Sequence, residues 1–243
     1  MPVRKEVIPF LAAALLLGAA SALLCRLLNV PWPLTGTAAG LLTALLSGYF
    51  LYFFRDPPRT PPADPQAIVA GADGRVARIV TLSPEELRQR LHGAGLRADQ
   101  VGALGRGAAV RFSIFLSLFD VHVNRAPISG AARFLGYFPG RHFFTFQEKS
   151  SDHNQHNSIL IENENTCCLF NQIVGPVCRR VVYWPAHDRP VPVKQGEPIG
   201  MMKFGSRLDL YFPAETVRVA VREGDRVRAG ETVIAAIRGG VPA

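Results

Sequence analysis

The sequence predicts a mainly β protein of α+β class that carries an N-terminal transmembrane helical hairpin ahead of a β-sandwich domain. Three observations lead there. Two apolar runs open the chain, each of about 20 residues and so long enough to cross a hydrocarbon core as a helix. Behind them, short runs rich in β-branched and aromatic residues alternate with turn residues. Finally, a V-[KR]-x-G-E-x-[IV] pattern occurs twice, at Val193–Ile199 and Val227–Val233. Two glycine turns, each leading into a strand, predict a pseudo-symmetric half-sandwich with biotinyl/lipoyl-like hairpin elements.

The membrane hairpin occupies residues 1–54. Val7–Leu28 and Leu34–Phe54 are almost unbroken apolar sequence, and Asn29–Pro33 between them has room only for a tight turn, with Trp32 suited to a membrane interface. A cleaved signal peptide is the competing reading of the first run; the second run and the lack of a small-x-small cleavage site argue against it. Arg4 and Lys5 precede the first helix and Arg55 and Arg59 follow the second, whereas only Arg26 lies near the turn. The positive-inside rule then puts both ends, and the domain that follows, on the cytoplasmic side of the cell membrane. Residues 55–66 hold five prolines in twelve positions and read as a stiff spacer keeping the domain close to the bilayer.

The domain, residues 67–243, reads as strands over Ile68–Val80, Ala108–Ser117, Ser158–Glu162, Cys167–Val174 and Val177–Trp184. Ser83-Pro84-Glu85-Glu86 opens a short helix, with Ser83 as N-cap and Glu86 at the capping-box position. Gly93–Gly107 reads as a glycine-punctuated loop. The net charge is +8, and all but four of the 27 basic residues are arginine, scattered among apolar residues. That dispersion argues against a nucleic-acid partner and for an anionic membrane surface. No phosphate-binding glycine loop is present. Cys25, Cys167, Cys168 and Cys178 lack metal-type spacing and read as small buried hydrophobes.

Four places carry chemistry. In Gly200–Pro213 the strand-like runs meet at Phe204-Gly205-Ser206, where glycine inside a strand pattern marks a bulge and a serine hydroxyl directly follows a glycine carbonyl. Asp73-Gly74 reads as an ordinary hairpin turn. In Leu118–Pro127, His122 alternates with Val121 and Val123 and faces away from them, beside Asp120, Asn124 and Arg125, a polar crowd that must be exposed or paired. Ser151–Ser158 holds His153 and His156 in what reads as a solvated loop, with no third ligand at a familiar spacing and so no metal site.

Taken together, "ADGRV", "FDVHVNRAP", "NQHNS" and "GEPIGMMKFGSRLDL" resemble, in order and spacing, the phosphatidylserine decarboxylase proenzymes in their short membrane-hairpin form. The resemblance implies self-cleavage at Gly205–Ser206 into a β chain of residues 1–205 and an α chain of residues 206–243 that stay associated. It implies that Ser206 becomes a covalent pyruvoyl cofactor, whose ketone condenses with the amine of phosphatidylserine and takes up the electrons released as CO2 departs, yielding phosphatidylethanolamine. It also implies Asp73 and His122 as the assisting catalytic residues. In longer members of the family a second histidine, three residues after the first, serves self-cleavage; here that position is Arg125. The cleaving base is then His122 in both steps, or His153 or His156, with Arg125 as an auxiliary group. The rival reading is a biotinyl/lipoyl-like carrier or membrane adaptor modified at Lys203, and a third is a non-cleaving structural member of the family. Oligomeric state, a homo-oligomer included, is not legible in the residues.

Overall fold

The computed structural model describes residues 2–176 and 181–238. The chain divides into two compact units, Met1–Pro58 and Arg59–Ala243.

The first unit is a helical hairpin. Helices α1 (Ile8–Leu27) and α2 (Trp32–Phe53) are each long and apolar enough to cross a membrane. The turn between them places Asn29 at a φ of 56°, a left-handed position that asparagine tolerates. Close approach of the helices depends on small residues: a Cβ added at Gly18 would stand 1.9 Å from the Thr43 hydroxyl, and Ala14 one turn earlier is also buried. Near the open end Phe10 packs against Phe50 and Phe54, with ring centroids 5.2 and 4.9 Å apart. Backbone pairing of Arg4 with Phe54 (2.9 Å) and of Asp56 with Pro2 (2.9 Å) closes that end.

The second unit is mainly β. Its strands are β1 (Ala67–Val69), β2 (Gly74–Leu82), β3 (Ala109–Leu116), β4 (Val123–Arg125), β5 (Gly130–Phe138), β6 (His156–Glu162) and β7 (Cys167–Val174). They continue with β8 (Val181–Tyr183), β9 (Val191–Val193), β10 (Pro198–Met202), β11 (Ser206–Pro213), β12 (Val217–Val219), β13 (Arg226–Val227) and β14 (Val233–Ile237). An eight-stranded sheet runs β13-β2-β3-β11-β7-β6-β5-β9, and two three-stranded sheets run β1-β14-β12 and β4-β10-β8. Among the described residues every pairing between these strands is antiparallel. Core residues of all three sheets, among them Phe112, Phe170, Leu208, Met202, Ile199 and Ile234, form one buried cluster. On the opposite face of the large sheet a second cluster gathers Leu160, Leu169 and Tyr211 with Leu87 and Leu91 of helix α3 (Pro84–Gly93).

Helix α3 starts as its sequence indicates. The Ser83 hydroxyl accepts from the Glu86 amide at 3.3 Å, while the Glu86 carboxylate accepts from the Ser83 amide at 2.8 Å. The twin glycine turns are also real: Gly196 and Gly230 have φ of 76° and 78°, and a Cβ on Gly230 would lie 3.3 Å from the Gly196 Cα. Each turn donates its glycine amide to an alanine carbonyl, Gly196 to Ala126 and Gly230 to Ala70, both at 2.9 Å.

Four local expectations are corrected. Asp73-Gly74 is no hairpin turn, because β1 and β2 belong to different sheets and Gly74 opens β2 beside β13. Residues 98–106 within the expected loop form 3-10 turns, with Val101 and Leu104 buried. Ser151–Ser158 is no solvated loop. It ends the short helix α4 (Ser150–His153) and begins β6, and Asn154, Gln155, His156 and Asn157 are all buried. A short polar run gives no periodic signal, so its burial was invisible before its partners were known. Finally, β10 and β11 do not form one bulged strand. They lie in different sheets, and Phe204-Gly205 is the corner between them. Of the four cysteines, Cys167 and Cys168 are buried as expected, Cys25 in α1 is only partly buried, and Cys178 lies outside the described residues, as do residues 177–180 of the expected strand Val177–Trp184.

Candidate active site

Changing sheets within three residues demands a sharp backbone turn. It is made by two consecutive left-handed residues, Phe204 at φ 52° and Gly205 at φ 71°. Phenylalanine in that region is strained, on the order of 1 kcal/mol or more, and is held there by the strands on either side. Ser206 follows as the first residue of β11, hydrogen-bonded between Leu116 of β3 and Val174 of β7. Its hydroxyl is fully buried and has no hydrogen-bond partner among the described residues. A buried hydroxyl ordinarily finds one, and leaving it unpaired costs about 1–3 kcal/mol.

The adjoining Gly205 carbonyl is not bare. The Thr145 hydroxyl donates to it at 3.4 Å, and Gly175 packs against it so closely that a Cβ there would stand 2.9 Å from the oxygen. Thr145 is held by its own loop. Asn154 donates to the carbonyls of Phe143 (2.7 Å) and Val174 (2.9 Å), and accepts from the Phe143 amide (2.9 Å). Asn154 therefore staples residues 143–145 to the end of β7, the strand beside Ser206.

His122 sits across the same corner. Its carbonyl accepts from Met202 (3.1 Å), the last residue of β10, and the segment leading to it begins at Leu116, the partner of Ser206. The ring is buried, and its Nδ1 lies 2.9 Å from the Asp120 carbonyl oxygen. A carbonyl can only accept, so Nδ1 carries the proton and Nε2 is the basic nitrogen of the neutral ring. The polar crowd around His122 is paired in part: the Asp120 carboxylate accepts from the Ser117 amide and hydroxyl, both at 2.7 Å, and the Asn124 oxygen accepts from Gln172 at 2.8 Å, while the Asn124 amide nitrogen is buried with no partner among the described residues.

Asp73 lines a cleft of about 310 Å³ together with Asp120, Arg226 and Arg228. Its carboxylate is engaged at both oxygens, by Arg59 at 2.7 Å and by the Ala229 amide at 2.8 Å. Burial pushes its pKa up, against the pull of the Ala229 amide and Arg59 and with the help of nearby Asp120. Arg59, an apparent spacer residue, also reaches Glu231 at 3.1 Å. Arg125 points elsewhere, donating to the Gly196 carbonyl at 2.9 Å between the twin turns.

The two downstream histidines are not in register with Ser206. Val174, the partner of Ser206, bonds Gln155 just ahead of β6, whereas His156 on β6 matches Ile173 and hence Arg207. His156 therefore lies on the opposite face of the sheet from Ser206 and two strands, about 10 Å, away. Its Nδ1 is 2.8 Å from the Asn154 carbonyl, and burial lowers its pKa. His153 is exposed, with its ring edge toward Phe143 at 6.5 Å.

That opposite face holds a charged cluster that pattern reading missed. Arg207 donates to Asp209 (2.8 Å), Ser113 (2.7 Å) and Glu148 (3.2 Å), and Arg111 also bonds Glu148. Burial alone would raise the Asp209 pKa, but Arg207 and Arg111 hold it below the usual carboxylate range. The alternation Arg207-Leu208-Asp209 was the available signal, since two charges on one face of an apolar strand require partners. Thr145 offered none, being one polar residue in Phe-Phe-Thr-Phe. Among the described residues no cluster of three metal-ligating side chains occurs.

Comparison of the sequence with known proteins points to one family. The phosphatidylserine decarboxylase family model covers residues 46–235. Proteins named phosphatidylserine decarboxylase proenzyme are similar along most of the chain. The one from Carboxydothermus hydrogenoformans is 40% identical over 201 residues, 82% of this chain and 85% of that protein. Those of Pelobacter propionicus and Desulfotalea psychrophila are 39% and 32% identical, covering 96% and 98% of this chain and 96% and 97% of theirs. A family match that runs through the glycine–serine corner and the strands that frame it leaves one assignment: this chain belongs to the phosphatidylserine decarboxylase family.

Proposed function

We propose that this chain is a proenzyme that cleaves itself at Gly205–Ser206 and then, through a pyruvoyl group derived from Ser206, decarboxylates phosphatidylserine to phosphatidylethanolamine. The observation that carries the reading is the buried Ser206 hydroxyl, with no partner among the described residues, beside a carbonyl held in a left-handed corner. The residues fit the group. Gly205 has open space around its Cα, nothing lying within 4 Å of an added Cβ, and serine has the carbon skeleton a pyruvoyl needs.

In self-cleavage the Ser206 Oγ bonds to the Gly205 carbonyl carbon as the Gly205–Ser206 amide bond breaks and the amine takes up a proton. Loss of the Ser206 Cα proton then breaks the Cβ–Oγ bond and frees the Gly205 carboxylate. Water converts the remaining dehydroalanine to the pyruvoyl group with release of ammonia. Once formed, that group supplies a ketone for the substrate amine and an electron sink for the departing carboxylate.

The chain's own residues do the rest. His122, with Nδ1–H directed at the Asp120 carbonyl, offers Nε2 to accept and return protons. Thr145 supports charge building on the Gly205 oxygen. Asp73 begins with both oxygens engaged, so its role is to hold negative charge beside the Asp120–His122 segment. Arg125, tied to the twin turns, steadies that segment rather than replacing a histidine. The new α chain starts with β11, hydrogen-bonded on both sides by β3 and β7, which supports the two chains staying together. The apolar helices α1 and α2 fit a lipid substrate, and the basic residues at their open end favour the cytoplasmic face. A carrier role fits poorly, because Lys203 is only 6% exposed and a carrier lysine must swing in solvent.

Intact-mass analysis of the purified full chain tests the reading. It should show two chains, residues 1–205 and 206–243, the smaller with a ketone-bearing N-terminus reactive to hydrazine, while Ser206→Ala stays whole. A single chain with an intact Ser206 would overturn it.

A further inference from the structure

We infer that Phe144 and Phe146 form a lipid-facing wedge that seats the rim of this site in the bilayer interface. The inference rests on the decarboxylase reading and adds how a substrate that stays in the membrane reaches a buried corner. The loop alternates sharply. Thr145 is buried with its hydroxyl on the Gly205 carbonyl, while Phe144 and Phe146 on either side are 54% and 67% exposed. Their rings stack on each other outside the fold, centroids 5.4 Å apart at 20°. The exposure does not come from looseness, since Asn154 staples the base of the loop at Phe143 and the Ser150 hydroxyl donates to the Thr145 carbonyl at 3.3 Å. A pinned loop that turns two aromatic rings to solvent has the form of an interaction surface.

The surroundings select a bilayer as its occupant. The chain already carries two helices long and apolar enough to cross a membrane. Leu118 and Phe119, 43% and 68% exposed, lie at the turn after β3, next to the Leu116–Ser206 pair, so a second apolar tip borders the same end of the sheet. Cations flank the wedge, with the Lys149 Nζ 4.1 Å and the Arg141 Cζ 5.8 Å from the Phe143 ring centroid. The one acid in the loop, Glu148, is neutralised by Arg111 and Arg207. Aromatic rings with a basic collar suit an interface whose headgroups include anionic phosphatidylserine.

Depth measurement on the full chain in nanodiscs containing phosphatidylserine tests this. Spin labels are placed at Phe144→Cys, Phe146→Cys and, as control, Glu164→Cys in the turn at the far end of β6 and β7, with Cys25 and Cys178 replaced by alanine. Seating in lipid predicts high oxygen and low nickel-chelate accessibility at 144 and 146, and the reverse at 164. Nickel-accessible labels at 144 and 146 would overturn the proposal; so would low accessibility to both reagents, which marks a protein partner or a second copy. Phe144→Ser/Phe146→Ser should also raise the KM for vesicle phosphatidylserine roughly tenfold, given the apolar area withdrawn; an unchanged KM counts against the wedge. Chain cleavage, read on a gel, separates the two readings. Lipid-embedded labels on an uncleaved chain would remove the decarboxylase assignment alone, and water-exposed labels on a cleaved chain would remove the wedge alone.

Discussion

At the Phe204-Gly205 corner, glycine serves conformation more than space. A side chain at Gly205 would meet nothing, but its φ of 71° is one that L residues rarely adopt. In the proposed self-cleavage this corner would orient the Gly205 carbonyl and the Ser206 hydroxyl before any base acts. Thr145 is the one side-chain donor recorded on the Gly205 carbonyl oxygen among the described residues. Removing a donor from a developing oxyanion slows acyl transfer by as much as about 100- to 1,000-fold. At 3.4 Å this bond is long, and Thr145→Ala should slow self-cleavage by roughly 10- to 100-fold. Thr145→Ser, which keeps the hydroxyl, should stay near the parent rate. A time course of α-chain appearance after synthesis measures both, and equal rates in the two variants would remove Thr145 from the mechanism.

At the scale of one element, β11 separates two tasks by pleat. Ser206 and Leu208 face the core shared by the three sheets, and Arg207 and Asp209 face the charged cluster behind them. Asp209 is buried with its pKa lowered, so its stabilisation is complete above the unfolded value of about 3.9 and drains away as pH falls through the folded one. His156 has the same sign in a higher window: burial lowers its pKa, so its contribution holds above about 6.5 and is lost as the ring is forced to charge below that. Denaturant titration of the uncleaved Ser206→Ala chain should therefore show stability declining in two acid steps. Asp209→Asn should shrink the lower step, leaving the part that Glu148 contributes, and cost about 3–5 kcal/mol at neutral pH, because Arg207 and Arg111 lose their fully buried counter-charge. A variant as stable as its parent at pH 7 would refute that account.

At the scale of the molecule, distant segments converge: Arg59 before β1 on Asp73 before β2, the His122 carbonyl before β4 on the last residue of β10, and Thr145 before α4 on the Gly205 carbonyl. Arg59 shows what that convergence does. It read as a topology-setting charge in a proline spacer, yet its side chain is buried on Asp73 and Glu231. Arg59 lowers the Asp73 pKa against burial, so Arg59→Ala should let Asp73 protonate at higher pH. The acid limb of the pH–rate profile for self-cleavage should then move upward; an unmoved profile would show that the charge of Asp73 is not used. Local signals in the chain were enough to reveal the apolar hairpin, the capping box of α3, most strands and the twin glycine turns, because each depends on periodicity or on a turn residue within a few positions. The glycine–serine pair was likewise visible as a break in a strand pattern. Tertiary structure alone decided that this break is a corner between two sheets and that the Ser206 hydroxyl is buried with no partner among the described residues. It also decided that His156 faces away while the His122 carbonyl holds the end of β10, and that Thr145 touches the Gly205 carbonyl. Those facts depend on strand register and on which sheet each strand joins, and both are set by pairings between residues far apart in the chain, which no local pattern encodes.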